Sequence, residues 1–233
     1  MYKLLLLILI SQFAMSQTIP TSQRSELAIA KHTPLLTTAF NQSSLKFGNP
    51  VYLRIFKQEA QLEIWVKDEA KFNLFKTYPI CTFGFGGLGP KLAEGDGKAP
   101  EGFYYVKANQ LNPNSSYHLS FNLGYPNAYD RAHKRTGSAL MVHGNCVSVG
   151  CYAMTDDKIE EIYTIVNAAL STGQDFFRVH VFPFKMTPEN MQKHKDSQWI
   201  DFWKNLKQGY DYFEANNHNP PSVKIQNKTY LFE

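Results

Sequence analysis

The chain has 233 residues, of which 43% are hydrophobic and 19% are charged, so it is long and apolar enough for one sizeable core and cannot be mostly disordered. The net charge is only +4 and forms no basic stripe, which excludes an argument for nucleic-acid binding. Aromatic residues make up 14% of the chain, a share that favours β-structure.

The first residues are typical of a secretory signal. Lys3 precedes an apolar run much shorter than the ~20 residues that a membrane span needs. The small residues Ala14 and Ser16 favour cleavage before Gln17. We therefore predict a signal peptide over residues 1–16 and export to the periplasm or the cell envelope, with an uncleaved anchor as the alternative.

The next part of the chain divides into a polar segment and a domain. Residues 17–45 are mixed in composition and contain only a weak helix start, so we assign the domain to residues 46–233. Alternating apolar residues predict a hairpin over residues 51–67 and a third strand within residues 72–83. Residues 84–102 hold seven glycines and two prolines, which predicts a long loop.

The second half mixes strands and helices. Further strands are predicted at residues 103–108, 117–124, 138–142, 178–184 and 223–232. Capping residues and helical spacing predict helices that begin near Thr155, Thr187 and Trp199. Residues 125–137 are predicted to form a loop. No repeat or linker divides the chain, so we predict one α+β domain, mainly antiparallel β, with two or three flanking helices.

The cysteines limit the chemistry. There are three, Cys81, Cys146 and Cys151. In an oxidising compartment an odd number leaves at least one thiol free, or paired between chains. At least one cysteine is therefore a candidate for chemistry.

The segment from His143 to Cys151 places a histidine, two cysteines and two glycines between a predicted strand and a predicted helix. A thiol attacks as its thiolate, and a helix N-terminus or a nearby histidine lowers its pKa. Gly150 allows a sharp turn that could direct backbone N–H groups at a developing oxyanion. The pattern therefore suggests nucleophilic catalysis by Cys151 with His143 as base.

Three other interpretations fit the same residues. A buried cysteine is often only a small apolar side chain. Cys146 and Cys151 could form a disulfide, or both could bind a metal together with His143. The chain has neither a C-x-x-C nor an H-E-x-x-H motif, so a zinc site has little support. The spacing alone leaves these alternatives open.

Residues 143–156 (HGNCVSVGCYAMTD) resemble the active-site motif of L,D-transpeptidases with a YkuD-type catalytic domain, and in particular of their YafK-like branch. Further segments resemble the same branch in the same order, namely residues 87–106, 117–131, 182–187 and 202–214. The resemblance covers about residues 45–233. It implies a curved, sandwich-like antiparallel fold and a peptidoglycan stem peptide as substrate, and it implies no metal or organic cofactor.

The resemblance also implies roles for individual residues. Cys151 would be the nucleophile and His143 the general base. The carbonyl of Gly144 would orient the imidazole, and the backbone N–H groups of Gly150 and Cys151 would form the oxyanion hole. We expect substrate contacts from Ser148, which lies in the Ser-x-Gly sequence before the nucleophile.

A basic cluster and two departures from the family bear on the substrates. Cations at Arg131, Lys134 and Arg135 could hold the carboxylates of a stem peptide, although a solvated loop is the common alternative. Val149 replaces a histidine of the wider family and Ala153 replaces an arginine, which leaves the acceptor open. An amine would give transpeptidation and water would give hydrolysis by an otherwise similar enzyme. A non-catalytic wall-binding module is the third hypothesis, and we expect a monomer.

Overall fold

The computed structural model describes residues 18–233, so the predicted signal peptide lies outside the described residues. The helices in this part are α1 Gln23–Gln42, α2 Ala128–Ala132, α3 Asp156–Ser171, α4 Pro188–Lys193 and α5 Ile200–Ala215. The strands are β1 Val51–Phe56, β2 Gln61–Asp68, β3 Lys71–Pro79, β4 Gly102–Val106, β5 Leu111–Asn112, β6 Ser120–Asn122, β7 Met141–His143, β8 Tyr152–Ala153, β9 Phe177–Phe182, β10 Val223–Gln226 and β11 Thr229–Phe232.

The larger sheet has five strands in the order β3-β2-β1-β9-β4. The predicted hairpin of β1 and β2 is confirmed, with Val51 opposite Val66 and Phe56 opposite Gln61. β1 pairs with β9 in parallel, and the other neighbours in this sheet are antiparallel. The prediction of an α+β fold with mainly antiparallel strands is confirmed.

A smaller sheet carries the segment with the candidate nucleophile. Its order is β5-β6-β7-β8, and β7 and β8 are parallel. Both sheets contribute to one hydrophobic core, for example Ile55 and Val181 from the larger sheet, Phe121 and Val142 from the smaller one, and Ile162 from α3. The core between them fixes the position of the smaller sheet against the larger one.

Helix α1 is much longer than the weak helix start predicted within residues 17–45. Ser22 caps it by accepting a hydrogen bond from the backbone N–H of Ser25 at 3.2 Å. Ala28, Leu36 and Phe40 are buried in the core that the two sheets share. Helix α1 therefore packs into the same core as the domain assigned to residues 46–233. The domain boundary after residue 45 stays a prediction.

No helix within residues 18–233 is long and apolar enough to cross a membrane.

The opposite face of the larger sheet is covered by α5 and by the C-terminal hairpin of β10 and β11. Trp203 and Leu206 from α5 pack with Tyr230 from β11 in a second cluster. One final strand was predicted here, but Asn227 and Lys228 adopt positive φ values of 50° and 59° and reverse the chain. The loop predicted over residues 125–137 likewise contains the short helix α2.

Candidate active site

Cys151 is the one free cysteine among residues 18–233 and immediately precedes β8. Its Sγ atom accepts a hydrogen bond from the backbone N–H of Met141 at 3.4 Å and lies 3.6 Å from the carbonyl oxygen of Ala139. The side chain is half-buried. The thiol is therefore held against the start of β7 by backbone groups.

His143 ends β7 and lies opposite Ala153 of β8 in a parallel register. Cys151 directly precedes β8, and residues two apart in a strand point to the same face, so the register places Cys151 and His143 on the same face of the smaller sheet. The Nδ1 atom of His143 is 2.7 Å from the carbonyl oxygen of Gly144. A carbonyl only accepts hydrogen bonds, so Nδ1 carries the proton and Nε2 is left as the basic nitrogen.

Close packing favours glycine at position 144, whereas the carbonyl that contacts His143 could come from any residue. A Cβ atom at this position would lie 2.5 Å from a carboxylate oxygen of Asp156 and 3.0 Å from a side-chain carbon of Ile159. The same oxygen of Asp156 accepts a hydrogen bond from the N–H of Asn145 at 2.7 Å. The first turn of α3 therefore positions the chain just after the candidate base.

The oxyanion donors that we expected are engaged elsewhere. The N–H groups of Gly150 and Cys151 both donate to the hydroxyl oxygen of Ser148, at 3.0 Å and 2.7 Å. That hydroxyl donates in turn to the carbonyl of Cys151 at 2.8 Å. In this structure Ser148 therefore supports the turn, and its contact with substrate and the oxyanion hole at Gly150 and Cys151 stay predictions.

The two candidate catalytic groups are neutral at rest. Burial lowers the pKa of His143, and the hydrogen bond to Gly144 opposes this change. Burial raises the pKa of the Cys151 thiol, against the opposing effects of the Met141 N–H and the Lys91 charge. The site therefore holds a thiol and a neutral imidazole rather than a preformed ion pair, and proton transfer has to accompany attack.

The second cysteine of this segment is not a thiol. Cys146 forms a disulfide with Cys81, 65 residues earlier in the chain. This bond excludes the Cys146–Cys151 disulfide that the sequence left open, and it also removes Cys146 from any metal site with His143. The bond joins the segment after β3 to the loop before Cys151, and the N–H of Cys81 also donates to the carbonyl of Ala153 at 2.8 Å.

Removing this disulfide is expected to destabilise the fold without removing the nucleophile. In the chain-entropy model, a 65-residue loop gives a contribution of up to ~4 kcal/mol to the free energy of unfolding. We expect the double variant Cys81→Ser/Cys146→Ser to unfold at lower urea concentration and to retain alkylation at Cys151. An unchanged urea midpoint would contradict the structural role of the bond.

The glycine-rich loop of residues 84–102 packs against the Cys151 turn. Gly150 has a φ of +152°, and a Cβ atom there would lie 3.2 Å from the carbonyl oxygen of Lys98. Within the loop, Lys91 forms an ion pair with Asp96 at 2.8 Å, and Asp96 also accepts the N–H of Lys98 at 3.0 Å. These contacts fix the loop, and they hold a cation close enough to influence the thiol.

The three cations expected to bind substrate carboxylates have different environments. Arg131 and Lys134 are exposed, and the guanidinium of Arg131 donates to the carbonyl of Pro126. Arg135 is buried and forms an ion pair with the buried Asp130 at 2.7 Å. Arg135 therefore stabilises its own loop, and the expected contacts of Arg131, Lys134 and Arg135 with substrate stay predictions.

One group in the described part of the chain has metal-binding side chains close together. The ligand atoms of His32, Asp157 and Glu160 lie within 4.8 Å of one another. The ammonium of Lys31 already contacts Asp157 at 2.9 Å and Glu160 at 2.8 Å, and His118 contacts the other oxygen of Glu160 at 2.8 Å. Partial burial raises the pKa of Glu160, but its three hydrogen-bond donors lower it to about 2. The group is an ion-pair cluster that joins α1 to α3.

A buried ion pair that holds the glycine-rich loop is not predictable from the sequence pattern. Lys57 and Glu101 are both fully buried and form an ion pair at 3.0 Å. The ammonium of Lys57 also donates to the carbonyls of Gly89 and Ala99, at 2.9 Å and 3.1 Å. A single lysine at the end of an amphipathic strand is typical of an exposed side chain. The only sequence feature that distinguishes Lys57 is its position beside the predicted turn.

Comparison with known proteins identifies relatives. The family model described as the L,D-transpeptidase catalytic domain (YkuD) matches residues 50–181, which is more than half of the chain. The protein named "Putative L,D-transpeptidase YafK" in Escherichia coli K12 is 51% identical over 184 residues, which cover 79% of this chain and 74% of that protein. The protein of the same name from strain O157:H7 gives the same values.

Solved structures give a weaker likeness. The helical cell shape determining protein Pgp2 from Campylobacter jejuni covers 87% of this chain and 80% of its own, with 16% identity and a TM-score of 0.46. Bd1075 from Bdellovibrio bacteriovorus covers 73% of this chain and 61% of its own, with a TM-score of 0.42. The family model and the relatives that are 51% identical over 184 residues decide the assignment: this chain belongs to the L,D-transpeptidase family with a YkuD-type catalytic domain.

Proposed function

We propose that the protein is a cysteine acyl-transfer enzyme of the periplasm or cell envelope that acts on an L,D amide bond in peptidoglycan stem peptides. The observation that carries the proposal is the free thiol of Cys151 directly before β8, the strand that pairs in parallel with the strand ending at His143, whose ring is oriented by the carbonyl of Gly144. Membership of the family supports the choice of substrate.

The proposed reaction has two stages. The Nε2 atom of His143 takes the thiol proton while the sulfur of Cys151 attacks the carbonyl carbon of the amide that follows the L-centre. The C–N bond then breaks, the D-amino acid leaves as an amine with the proton from His143, and a thioester remains on Cys151. An incoming amine or water gives its proton to His143, attacks the thioester and releases the thiol.

The residue at position 149 is compatible with a hydrolytic variant of the same reaction, in which water replaces the amine acceptor. Val149 occupies the position of a histidine in the wider family, and its apolar side chain is 78% exposed beside the nucleophile turn. This side chain cannot take a proton from an acceptor. His143 therefore serves both stages, and it can activate water as well as an amine.

Mass spectrometry of muropeptides tests the proposed function. Purified peptidoglycan with a diamino acid in its stem would be incubated with the oxidised wild-type protein or with Cys151→Ser. New cross-links would indicate transpeptidation, and shortened or released stems would indicate hydrolysis, in both cases at the L,D linkage. Unchanged muropeptides would support a wall-binding module, and cleavage of glycan strands or D,D bonds alone would contradict the proposal.

The variant His143→Ala is expected to lower turnover by at least ~100-fold, which is the usual scale for loss of a general base. The rate of Cys151 alkylation at pH 7 should also fall, because no neighbouring base remains to take the thiol proton. The alkylation rate at high pH should be unchanged, since hydroxide then supplies the thiolate. The apparent pKa of alkylation therefore rises in the variant.

The same assignment predicts the acid side of the pH profile. Catalysis needs neutral His143, which is the form present above its pKa, and burial lowers that pKa below the ordinary value of about 6.5. We therefore expect kcat/KM to stay constant down to a pH below 6.5. An acid limb at or above 6.5, or an alkylation profile unaffected by His143→Ala, would show that this histidine is not coupled to the thiol.

A further inference from the structure

A cavity lies away from the candidate active site. It has a volume of about 480 Å³ and opens on the face of the larger sheet that α5 and the C-terminal hairpin partly cover. Its walls come from β4 and β9, from residues 123–131 and from β10 and β11. No lining residue belongs to residues 84–102 or to residues 138–156. The volume is in the range of small-molecule sites.

The charge in this cavity is entirely positive. Arg131 and Arg178 line it, and none of the described lining residues is an aspartate or glutamate. Within residues 18–233, Arg178 forms no ion pair, and its guanidinium lies 5.1 Å from the ring centroid of Phe176. Burial lowers the pKa of Arg178, yet a guanidinium stays charged in proteins. A partly desolvated cation without a carboxylate partner favours an anionic ligand.

A buried histidine adds a hydrogen-bond donor. His180 borders the cavity although it is only 1% exposed, and its Nδ1 atom is 2.9 Å from the hydroxyl of Tyr52. That hydroxyl has no other acceptor in the described part of the chain, so it donates to Nδ1, and the proton of the neutral ring is on Nε2. Nε2 has no protein partner within residues 18–233. It can therefore donate to a ligand.

The remaining walls are largely aromatic. Phe103, Tyr105, Phe176 and Tyr230 line the cavity, and Tyr105 is 56% exposed although it is large and apolar. Aromatic faces favour apolar groups and offer little to a small hydrated ion. A ligand that satisfies this cavity has an anionic group for the arginines and an apolar group for the rings.

We propose that this cavity is a second binding site, separate from Cys151, for a carboxylate attached to an apolar group, of the size of an amino acid or a peptide C-terminus. Arg178 binds the carboxylate through its planar pair of N–H groups, and Nε2 of His180 donates to the same group. The aromatic walls hold the adjoining side chain. The site does not depend on the chemistry at Cys151.

The test is an NMR titration of the full oxidised chain with N-acetyl-L-phenylalanine and with N-acetyl-D-alanine. The matched neutral probes are the corresponding C-terminal amides. The protein variants are Arg178→Gln and a charge-matched control, Lys46→Gln, which removes an exposed cation outside the cavity. Alkylation of Cys151 at the wild-type rate would show that both variants are folded.

We expect the acids to shift resonances of lining residues and the amides to bind at least ~10-fold more weakly, since a charged hydrogen bond is lost. Arg178→Gln should weaken binding of the acids by a similar factor, and Lys46→Gln should not. Tighter binding of the L-acid would indicate an ordinary peptide C-terminus, and tighter binding of the D-acid a stem-peptide terminus. Equal binding of acids and amides, shifts confined to the Cys151 region, or no shifts would each overturn the proposal.

Discussion

Cys151→Ser is expected to lower turnover by ~10⁴-fold or more, which is the scale seen when a nucleophile is removed. A serine hydroxyl is far less acidic than a thiol, so the neutral imidazole of His143 cannot activate it in the same way. The substitution changes one atom of a half-buried side chain, so the free energy of unfolding should change little. Turnover and urea unfolding measured on the same preparation check both expectations.

Thiol counting provides the control for this result. The oxidised wild-type protein should take up one alkyl group, located at Cys151 by mass spectrometry, because Cys81 and Cys146 are joined. The oxidised Cys151→Ser protein should take up none. Retained turnover in this variant, or a label on another cysteine of the oxidised wild type, would contradict the assignment of the nucleophile.

Lys57→Met should be among the most destabilising substitutions, at ~3–5 kcal/mol. It leaves the carboxylate of Glu101 buried without its cation, and it removes the donor that holds the carbonyls of Gly89 and Ala99. Because these carbonyls belong to the loop that packs against the Cys151 turn, activity should fall together with stability. Urea unfolding and turnover at a temperature where the variant is folded measure the two effects.

The double variant Lys57→Met/Glu101→Gln separates loss of the pair from burial of a lone charge. Its glutamine is neutral, so we expect it to recover part of the stability that the single variant loses. Recovery should be incomplete, because Glu101 also accepts hydrogen bonds from the N–H of Gly89 at 2.7 Å and from the indole of Trp203 at 2.8 Å. A cost below ~1 kcal/mol for Lys57→Met would contradict this account.

The elements predicted correctly are those with a regular apolar pattern. Strict alternation predicted the hairpin of β1 and β2, and helical spacing predicted α3 and α5. Helix α1 was underestimated because its buried side includes the polar residues Ser25 and His32 and its interior contains Pro34. The C-terminal hairpin was missed because its turn, Asn227-Lys228, lacks the glycine that usually marks such turns.

Residues whose role depends on their own chemistry could be predicted from the sequence. Contacts between residues that are far apart in the chain could not. The odd cysteine count and the family motif pointed to Cys151, which is the free cysteine of the described chain. The pairing of Cys146 with Cys81 spans 65 residues and has no local signal. Arg135 is a further example. A basic loop is usually solvated, and only the structure shows that Arg135 forms an ion pair with the buried Asp130.

The parallel pairing of β1 with β9 governs how this chain can fold. Tyr52 lies opposite Arg178 and Phe56 opposite Phe182, so the middle of the larger sheet joins segments more than 120 residues apart. The β1–β2–β3 meander can form early from local contacts, but its β1 edge stays open until β9 is available. Such a high contact order slows folding, because the entropy of closing a long loop is lost before any contact compensates for it. Until then β1 exposes an unpaired edge of apolar residues, and the unfinished chain is prone to aggregation during that interval.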